Sequence, residues 1–418
     1  MAKGDIIVGL DIGTTKICTV IGEVADGTTG RVDVLGVGVS PSQGIRRGVV
    51  VDIETTTRAI EDSIGKAQRM AGADVHSVIV GVTGEHIASL NSRGVIAITR
   101  TDREVTQEDV DRVLENSKVI VLPPDREIIH AIARGYAIDG QNGIRSPVGM
   151  SGTRLEVDTH IVHGATTFLQ NVAKCVERAG LHVEDTVLEP IATGESVVMA
   201  AEKDLGVVLL DIGGGTSDLA IFQDGEICYS AVLPIGGQYV TKDVSAGLRT
   251  TMEEAERVKT AYGVAITEMT GENDTFSFTR LGSTEPTTLP TRILGEIIEP
   301  RASELFQMVK QEINRSNYAS VLPAGLVLSG GGALLRGTKE LATEMTGLPS
   351  RVGFPTGVGG LAESVAHPSF ATAVGLVQWG GKAHAGIPRR ERSGGLFTSF
   401  MAWTRRYFRD LRGAGSGS

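Results

Sequence analysis

Aromatic residues make up only 4% of this 418-residue chain, and cysteine occurs three times. Cys18, Cys175 and Cys228 are scattered and odd in number. That excludes a disulfide framework, points to a reducing, cytosolic setting and matches no metal-ligand spacing. Long apolar runs are lacking. The longest, such as Val207 to Leu210, have the length of a strand, so no segment reads as a bilayer-spanning helix. The opening Met1-Ala2-Lys3-Gly4-Asp5 leads straight into a strand without an apolar leader core, so no secretory leader is expected. Two common nucleotide loops are also missing: there is no Gly-x-x-x-x-Gly-Lys-Ser/Thr and no glycine fingerprint opening a helix. A basic surplus is absent as well. The formal charge is −10, and seven arginines against Glu391 and Asp410 make residues 389–418 net +5, leaving −15 for the remainder. An acidic body of this kind argues against nucleic acid as a partner and sets the tail apart.

Glycine, by contrast, is abundant, at 54 residues. Its placement carries the main signal, a phrase written twice. Gly9-Leu10-Asp11-Ile12-Gly13-Thr14-Thr15 returns as Leu210-Asp211-Ile212-Gly213-Gly214-Gly215-Thr216-Ser217-Asp218. Each copy ends an apolar run in aspartate, glycine and hydroxyl residues, then starts a second apolar run (Ile17 to Ile21; Leu219 to Phe222) that closes at Asp26-Gly27 or Asp224-Gly225. The pattern predicts strand, tight glycine turn, strand, once per half. Glycine lets backbone N–H groups approach a phosphate chain, and Thr14, Thr15 and Thr216 add hydroxyl donors. Asp11 and Asp211 would repel phosphate directly, so their expected role is to face a hydrated Mg²⁺ that bridges phosphate oxygens. Asp218 could do the same or position a water. Two such turns facing each other would clamp a polyphosphate.

Three further stretches fit such a site. Glu189-Pro190-Ile191-Ala192-Thr193-Gly194-Glu195-Ser196 opens a small-residue helix. Leu326-Val327-Leu328-Ser329-Gly330-Gly331-Gly332 is a buried strand entering a glycine turn on which a flat base or ribose could lie. Ala366 to Gly375 reads as a second small-residue helix suited to close helix contact.

These motifs, in this order over residues 5 to 380, resemble the actin, Hsp70 and sugar-kinase ATPase superfamily. Within it the chain is similar to the FtsA family of actin-like bacterial cell-division proteins. Ile293-Leu294-Gly295-Glu296-Ile297-Ile298-Glu299-Pro300-Arg301, Gly44-Ile45-Arg46-Arg47-Gly48 and the tail fit that resemblance. It implies an α/β fold: a duplicated actin-like (ribonuclease H-like) ATPase in two lobes, with an α+β insertion in the first lobe and a C-terminal amphipathic helix. It further implies ATP and Mg²⁺ as ligands. Asp11, Gly13, Thr14, Thr15 and Lys16 would form the first phosphate loop, and Asp211, Gly213, Gly214, Gly215 and Thr216 the second. Gly330, Gly331 and Gly332 would form the adenosine loop, with Glu256 and Lys259 beside the adenine or ribose. Asp11 and Asp211 would hold the metal through water, Glu189 would contact its water, and Asp211 and Glu189 are the catalytic candidates.

The expected organisation assigns 1–83 and 164–205, with part of 360–380, to the first lobe and 206–240 with 318–380 to the core of the second. Residues 84–163 change texture: short strands surround one helix that Thr106 caps, an inserted subdomain that in the family serves self-association and contacts with other division proteins. Residues 241–317 form a second-lobe insertion, a turn-rich hairpin and a long helix kinked at Pro300. There, by resemblance, the tail of tubulin-like FtsZ docks. Residues 381–395 read as a flexible linker. Residues 396–412 form an amphipathic helix: at about 100° per residue, Leu396, Phe397, Phe400, Met401, Trp403, Tyr407, Phe408 and Leu411 share one arc, opposite Arg405, Arg406, Arg409 and Arg412. Bulky apolar residues facing arginines suit an anionic membrane interface.

The implied function is an ATP-dependent filament that tethers the FtsZ ring to the cytoplasmic side of the inner membrane at the division septum. Weak or no ATPase activity is expected. Asp218 or Glu189 could serve as a base, so a small-molecule kinase of the superfamily stays open, as does an actin-like pilus-assembly ATPase. An Hsp70-type chaperone needs a substrate domain that the roughly 40 residues after 380 cannot supply.

Overall fold

The computed structural model describes residues 5–386 and the backbone of 391–392. The repeated phrase is the visible part of a repeated sheet. In the first lobe the strands run in the order His182–Leu188, Ser77–Val82, Ile6–Ile12, Lys16–Asp26, Arg31–Pro41, with Gly359–Gly360 added at the edge. In the second they run Ser350–Val352, Leu326–Ser329, Val207–Ile212, Ser217–Gln223, Glu226–Leu233. Each sheet joins a three-strand antiparallel meander to two parallel strands. Alternation explains the meander: Arg31–Pro41 buries Val32 and Val34 and turns charged or half-exposed residues outward. The central strands Ile6–Ile12 and Val207–Ile212 are buried almost throughout, as strands covered on both faces must be.

Helix Ile53–Ala71 covers the first sheet. Asp52 caps it by accepting from Thr55 N–H, and Gly72 ends it at φ 62°, the left-handed conformation that glycine adopts at least cost. Two further helices cross between the sheets: Glu189–Val197, the first connecting helix, and Ala371–His384, the second. At the crossing a Cβ on Gly375 would lie 1.7 Å from Ala192 O, so only glycine permits the contact. The second connecting helix starts later than its small-residue pattern predicts. Pro368–Phe370 forms a separate 3-10 turn, capped by the His367 side chain accepting from Ser369 N–H. It also ends later, so residues 381–384, expected in the linker, are helical. Farther on, Glu391–Arg392 pair with Ala131 and Ile132.

The inserted subdomain is a sheet of Arg126–Ile138, Arg154–Ala165 and Ala88–Ala97, with Gln141–Ile144 at its edge and helix Gln107–Ser117 on its face. Thr106 and Asp109 form a reciprocal capping box at the start of that helix. Ile98, Val113, Leu114, Tyr136, Leu155 and Val157 make a separate small core. The subdomain lies against the edge strand Glu226–Leu233 of the second lobe. Ser89 Oγ donates to Ser230 O at 2.8 Å and Asn91 Nδ2 to Cys228 O at 3.3 Å. The His160 imidazole bridges Asn91 Oδ1 at 2.8 Å and Ser230 Oγ at 3.1 Å. The Arg134 guanidinium lies 5.2 Å from the Tyr318 ring centroid.

Burial, with Arg134 and His130 nearby, pushes the His160 imidazole down to about 3. The fold therefore holds His160 neutral, while the unfolded chain protonates it below about pH 6.5. Stability should fall as the pH drops from about 6.5 toward 3, by up to about 1.4 kcal/mol per pH unit from this residue. H160Q should be less stable than wild type near neutrality but lose less on acidification. Urea midpoints should show the gap narrowing by about 1 kcal/mol between pH 6.5 and 5.5; parallel pH profiles would contradict the assignment.

In the second-lobe insertion, helices Gly237–Leu248 and Met252–Tyr262 and the hairpin Thr275–Thr279/Pro286–Pro290 pack on the long helix Thr291–Arg315 around Val244, Phe276, Phe278, Leu294 and Ile298. One helix runs from Thr291 to Arg315 with Pro300 inside it. Proline there removes one intrahelical bond, while the buried residues Ile298 and Ala302 hold the two flanking turns in place. Among the described residues, no helix is long and apolar enough to cross a membrane. The tail residues 396–412 lie outside the described residues.

Candidate nucleotide site

The two repeated hairpins meet at the floor of a cleft of about 890 Å³ between the lobes. They are closed identically: Gly13 N–H donates to Lys16 O at 3.0 Å, and Gly213 N–H to Thr216 O at 3.0 Å. The registers match as well, with Asp11 opposite Cys18 and Asp211 opposite Asp218. The second hairpin therefore carries an additional acid where the first has a buried thiol. The turns touch across the cleft: a Cβ on Gly214 would fall 2.3 Å from Thr15 Cγ2, and one on Gly215 2.5 Å from Thr14 Oγ1. Helix Gly237–Leu248 begins against the second turn, where Gly237 and Gln238 N–H donate to Gly213 O and Gly214 O at 2.9 and 2.8 Å. Those bonds occupy the carbonyls, the groups that would repel a phosphate.

Asp11, Glu189, Asp211 and Asp218 are all buried and all line the cleft. Burial, reinforced by Asp211 and opposed by Lys16, pushes the Asp11 carboxyl up to about 6. Burial raises Asp218 to about 7 although the Thr83 hydroxyl donates to it. Glu189 is pushed well above the usual carboxylate range by burial and by Asp11, Asp218 and Asp211. Asp211 is raised by burial and held back by hydrogen bonds from Thr193 and Thr372. The Lys16 ammonium opposes the rise at Asp11 and Asp211; its Nζ donates to Ser369 O and lies 4.6 Å from the Phe370 ring centroid. Glu189 Oε1 has no hydrogen-bond partner among the described residues.

A surplus of buried negative charge is costly unless a cation joins it. Among the described residues, no three His, Cys, Asp or Glu side chains converge tightly enough to chelate a metal directly. A divalent ion held through its waters and through phosphate oxygens fits both observations.

The glycine turn expected to take the nucleoside, Gly330, Gly331 and Gly332, also lines the cleft. Gly330 sits at φ 78°, and a Cβ there would lie 2.3 Å from Asp211 Oδ1 and 2.5 Å from Ile212 O, so this turn rests directly on the second hairpin. Lys259 Nζ reaches Glu256 Oε2 at 2.7 Å, Thr241 Oγ1 at 3.0 Å and Gly237 O at 3.2 Å. Its side chain is 12% exposed and its partner's is half exposed, so the pair borders the cleft and is not an ordinary solvated helix face.

The structure thus brings every sequence-predicted loop residue, together with Glu189, Glu256 and Lys259, to one cavity. Sequence reasoning missed Thr83; it named the stretches that hold Thr193, Thr372 and the His367–Ser369 turn but gave these residues no role. Thr83-Gly84 follows a buried strand just as the two aspartate turns do, and that signal could have found it. The contacts of Thr193 and Thr372 depend on helix crossing and leave no mark in spacing.

Two sheets of one topology, each offering a glycine hairpin to a shared cleft, with an α+β subdomain inserted in the first lobe, define an actin-like protein. Solved structures of the same fold include that of a PilM–PilN type IV pilus biogenesis complex (TM-score 0.66, 17% identity, 90% of this chain and 98% of that one). Another is MreB5 of Spiroplasma citri bound to ADP (TM-score 0.55, 15% identity, 92% and 99%). The family model for cell division protein FtsA matches residues 208–375, and that for the SHS2 domain inserted in FtsA matches residues 84–163. Cell division protein FtsA of Pseudomonas aeruginosa is 45% identical over 378 residues, 90% of each chain. That of Escherichia coli K12 is 33% identical over 416 residues, 96% of this chain and 98% of its own. The chain belongs to the FtsA family of actin-like cell-division proteins.

Proposed function

We propose that the cleft binds Mg-ATP and that the protein is a filament-forming adaptor, tethering the FtsZ ring to the cytoplasmic face of the inner membrane at the septum. The observation that carries this reading is the pair of matching hairpins over a cluster of four buried acids. Gly13 to Lys16 and Gly213 to Thr216 supply amides, hydroxyls and one ammonium to the phosphates. Asp11 and Asp211 would hold the hydrated cation, which would supply positive charge against the carboxylates and phosphates. Glu189, with its free oxygen, orients water at the phosphate end. Gly330 to Gly332, Glu256 and Lys259 take the nucleoside. Because both lobes contribute to one ligand, binding draws them together, and the nucleotide acts as a latch on the polymerising conformation, with hydrolysis slow or absent.

Residues 84–163 serve self-association and contacts with other division proteins, residues 241–317 dock the FtsZ tail, and residues 396–412 lie in the membrane surface. One weak helix per protomer binds reversibly, and a filament multiplies it. Sedimentation with anionic-lipid vesicles, with and without ATP, tests the whole reading. The intact protein should pellet, more so with ATP, and a version ending at residue 392 should stay in the supernatant. Equal partitioning of the two would overturn the anchor.

A further inference from the structure

The metal-facing acid of the second hairpin is not held by its own lobe's sheet alone. Asp211 Oδ2 accepts from Thr193 Oγ1 at 2.8 Å and from Thr372 Oγ1 at 3.2 Å, and the two hydroxyls are 2.9 Å from each other. All three residues are buried. Thr193 belongs to the first connecting helix and Thr372 to the second, so one carboxylate joins both helices that cross between the lobes. The crossing is sewn together beside it: Gly375 sits against Ala192 O, and Ser196 Oγ donates to Ala371 O at 2.7 Å.

Three close oxygen pairs share only two hydroxyl protons, because each threonine has one to give and the ionised carboxylate has none. One of the three contacts therefore lacks a proton at any moment. Either both threonines donate to Asp211, or one donates to the other, which alone donates to Asp211. Each arrangement leaves Asp211 with a donor, and removal of either hydroxyl still leaves the other within reach.

We propose that Thr193 and Thr372 are a redundant pair of positioning residues: from the two connecting helices they fix the orientation of the Asp211 carboxylate toward the cation, so that metal affinity depends on the posture of the crossing. This rests on the Mg-ATP reading of the cleft. It makes the hinge and the metal site one unit: rotating either connecting helix moves a donor off Asp211, and a bound cation resists that rotation. A pair that only glued the helices would affect stability and leave metal dependence unchanged.

The test is the Mg²⁺ concentration that half-saturates ATP binding to the full-length protein, measured by calorimetry beside ATP affinity in EDTA. T193V and T372V preserve shape and delete the hydroxyls. Each single variant should raise the Mg²⁺ midpoint by about two- to threefold, and the double variant by about tenfold or more, beyond the product of the singles. ATP affinity in EDTA should be unchanged, and the serine pair T193S/T372S should restore the wild-type midpoint. Should the double valine variant fail to fold, T193V and the serine pair carry the comparison. A wild-type Mg²⁺ midpoint in the folded valine variants, or a loss of EDTA affinity equal to the loss in Mg²⁺, overturns the inference while leaving the Mg-ATP reading intact. Failure of the wild-type protein to bind Mg-ATP overturns both.

Discussion

Gly375→Val is expected to leave little soluble, folded protein. A Cβ alone at this position would lie 1.7 Å from Ala192 O and 2.4 Å from Ala192 C, inside a helix crossing that is buried on both sides. The neighbouring Val374, Leu376 and Val377 belong to the same apolar cluster as Ile191 and Ala192. The two connecting helices would have to separate by about a van der Waals diameter, opening that cluster. Overpacking of a tight core costs about 1–3 kcal/mol where side chains can shift, and more where backbone must. With backbone on the other side, a loss of about 4 kcal/mol or more is expected, a large share of the roughly 5–15 kcal/mol that stabilises a domain. Thermal melts and soluble yield check this. Gly65, where a Cβ would meet only the far end of the Arg69 side chain, at 3.4 Å, is the control and should tolerate alanine. A G375V protein melting within a few degrees of wild type would show that the crossing is looser than described.

Asp211→Asn should produce opposite effects on the two properties that can be measured. The amide keeps the shape and keeps an oxygen to accept from Thr193 and Thr372. It removes the carboxylate whose charge helps to raise Asp11, Glu189 and Asp218, so the ligand-free protein should melt no lower than wild type, and higher where that repulsion is strong. Mg-ATP affinity should fall by about a hundredfold, the loss of a charge-assisted contact of about 2–3 kcal/mol. Calorimetry with ATP in Mg²⁺, paired with melts in EDTA, separates the two effects. A variant that melts much lower, or that binds Mg-ATP normally, would remove Asp211 from the metal site.

The legible part of this chain was the part that repeats. Asp11 and Asp211 announced two hairpins because apolar run, aspartate, glycine and threonine recur in one order, and the sheets around them have the same strand order. Local chemistry was legible as well: Thr106 caps its helix by a side-chain bond to a nearby amide, which three or four residues of sequence reveal. What escaped depends on distant partners. Thr83 gains its role only because the lobes bring Asp218 to it, 135 residues away. Thr193 and Thr372 are 179 residues apart and meet only at a crossing. Pro300 lies inside one helix, as read from sequence, but the partners that hold its flanking turns, through Ile298 and Ala302, belong to two different apolar clusters that local pattern does not reveal. His160 joins the inserted subdomain to the second lobe through Ser230, 70 residues away.

The most direct measurement is the position of a bound nucleotide, from crystals grown with a non-hydrolysable ATP analogue and Mg²⁺. The predicted density places the β- and γ-phosphates between Gly13–Thr15 and Gly213–Thr216, the cation facing Asp11 and Asp211 through water, and the nucleoside on Gly330–Gly332. An analogue held by one hairpin only, or bound outside the cleft, would contradict the clamp.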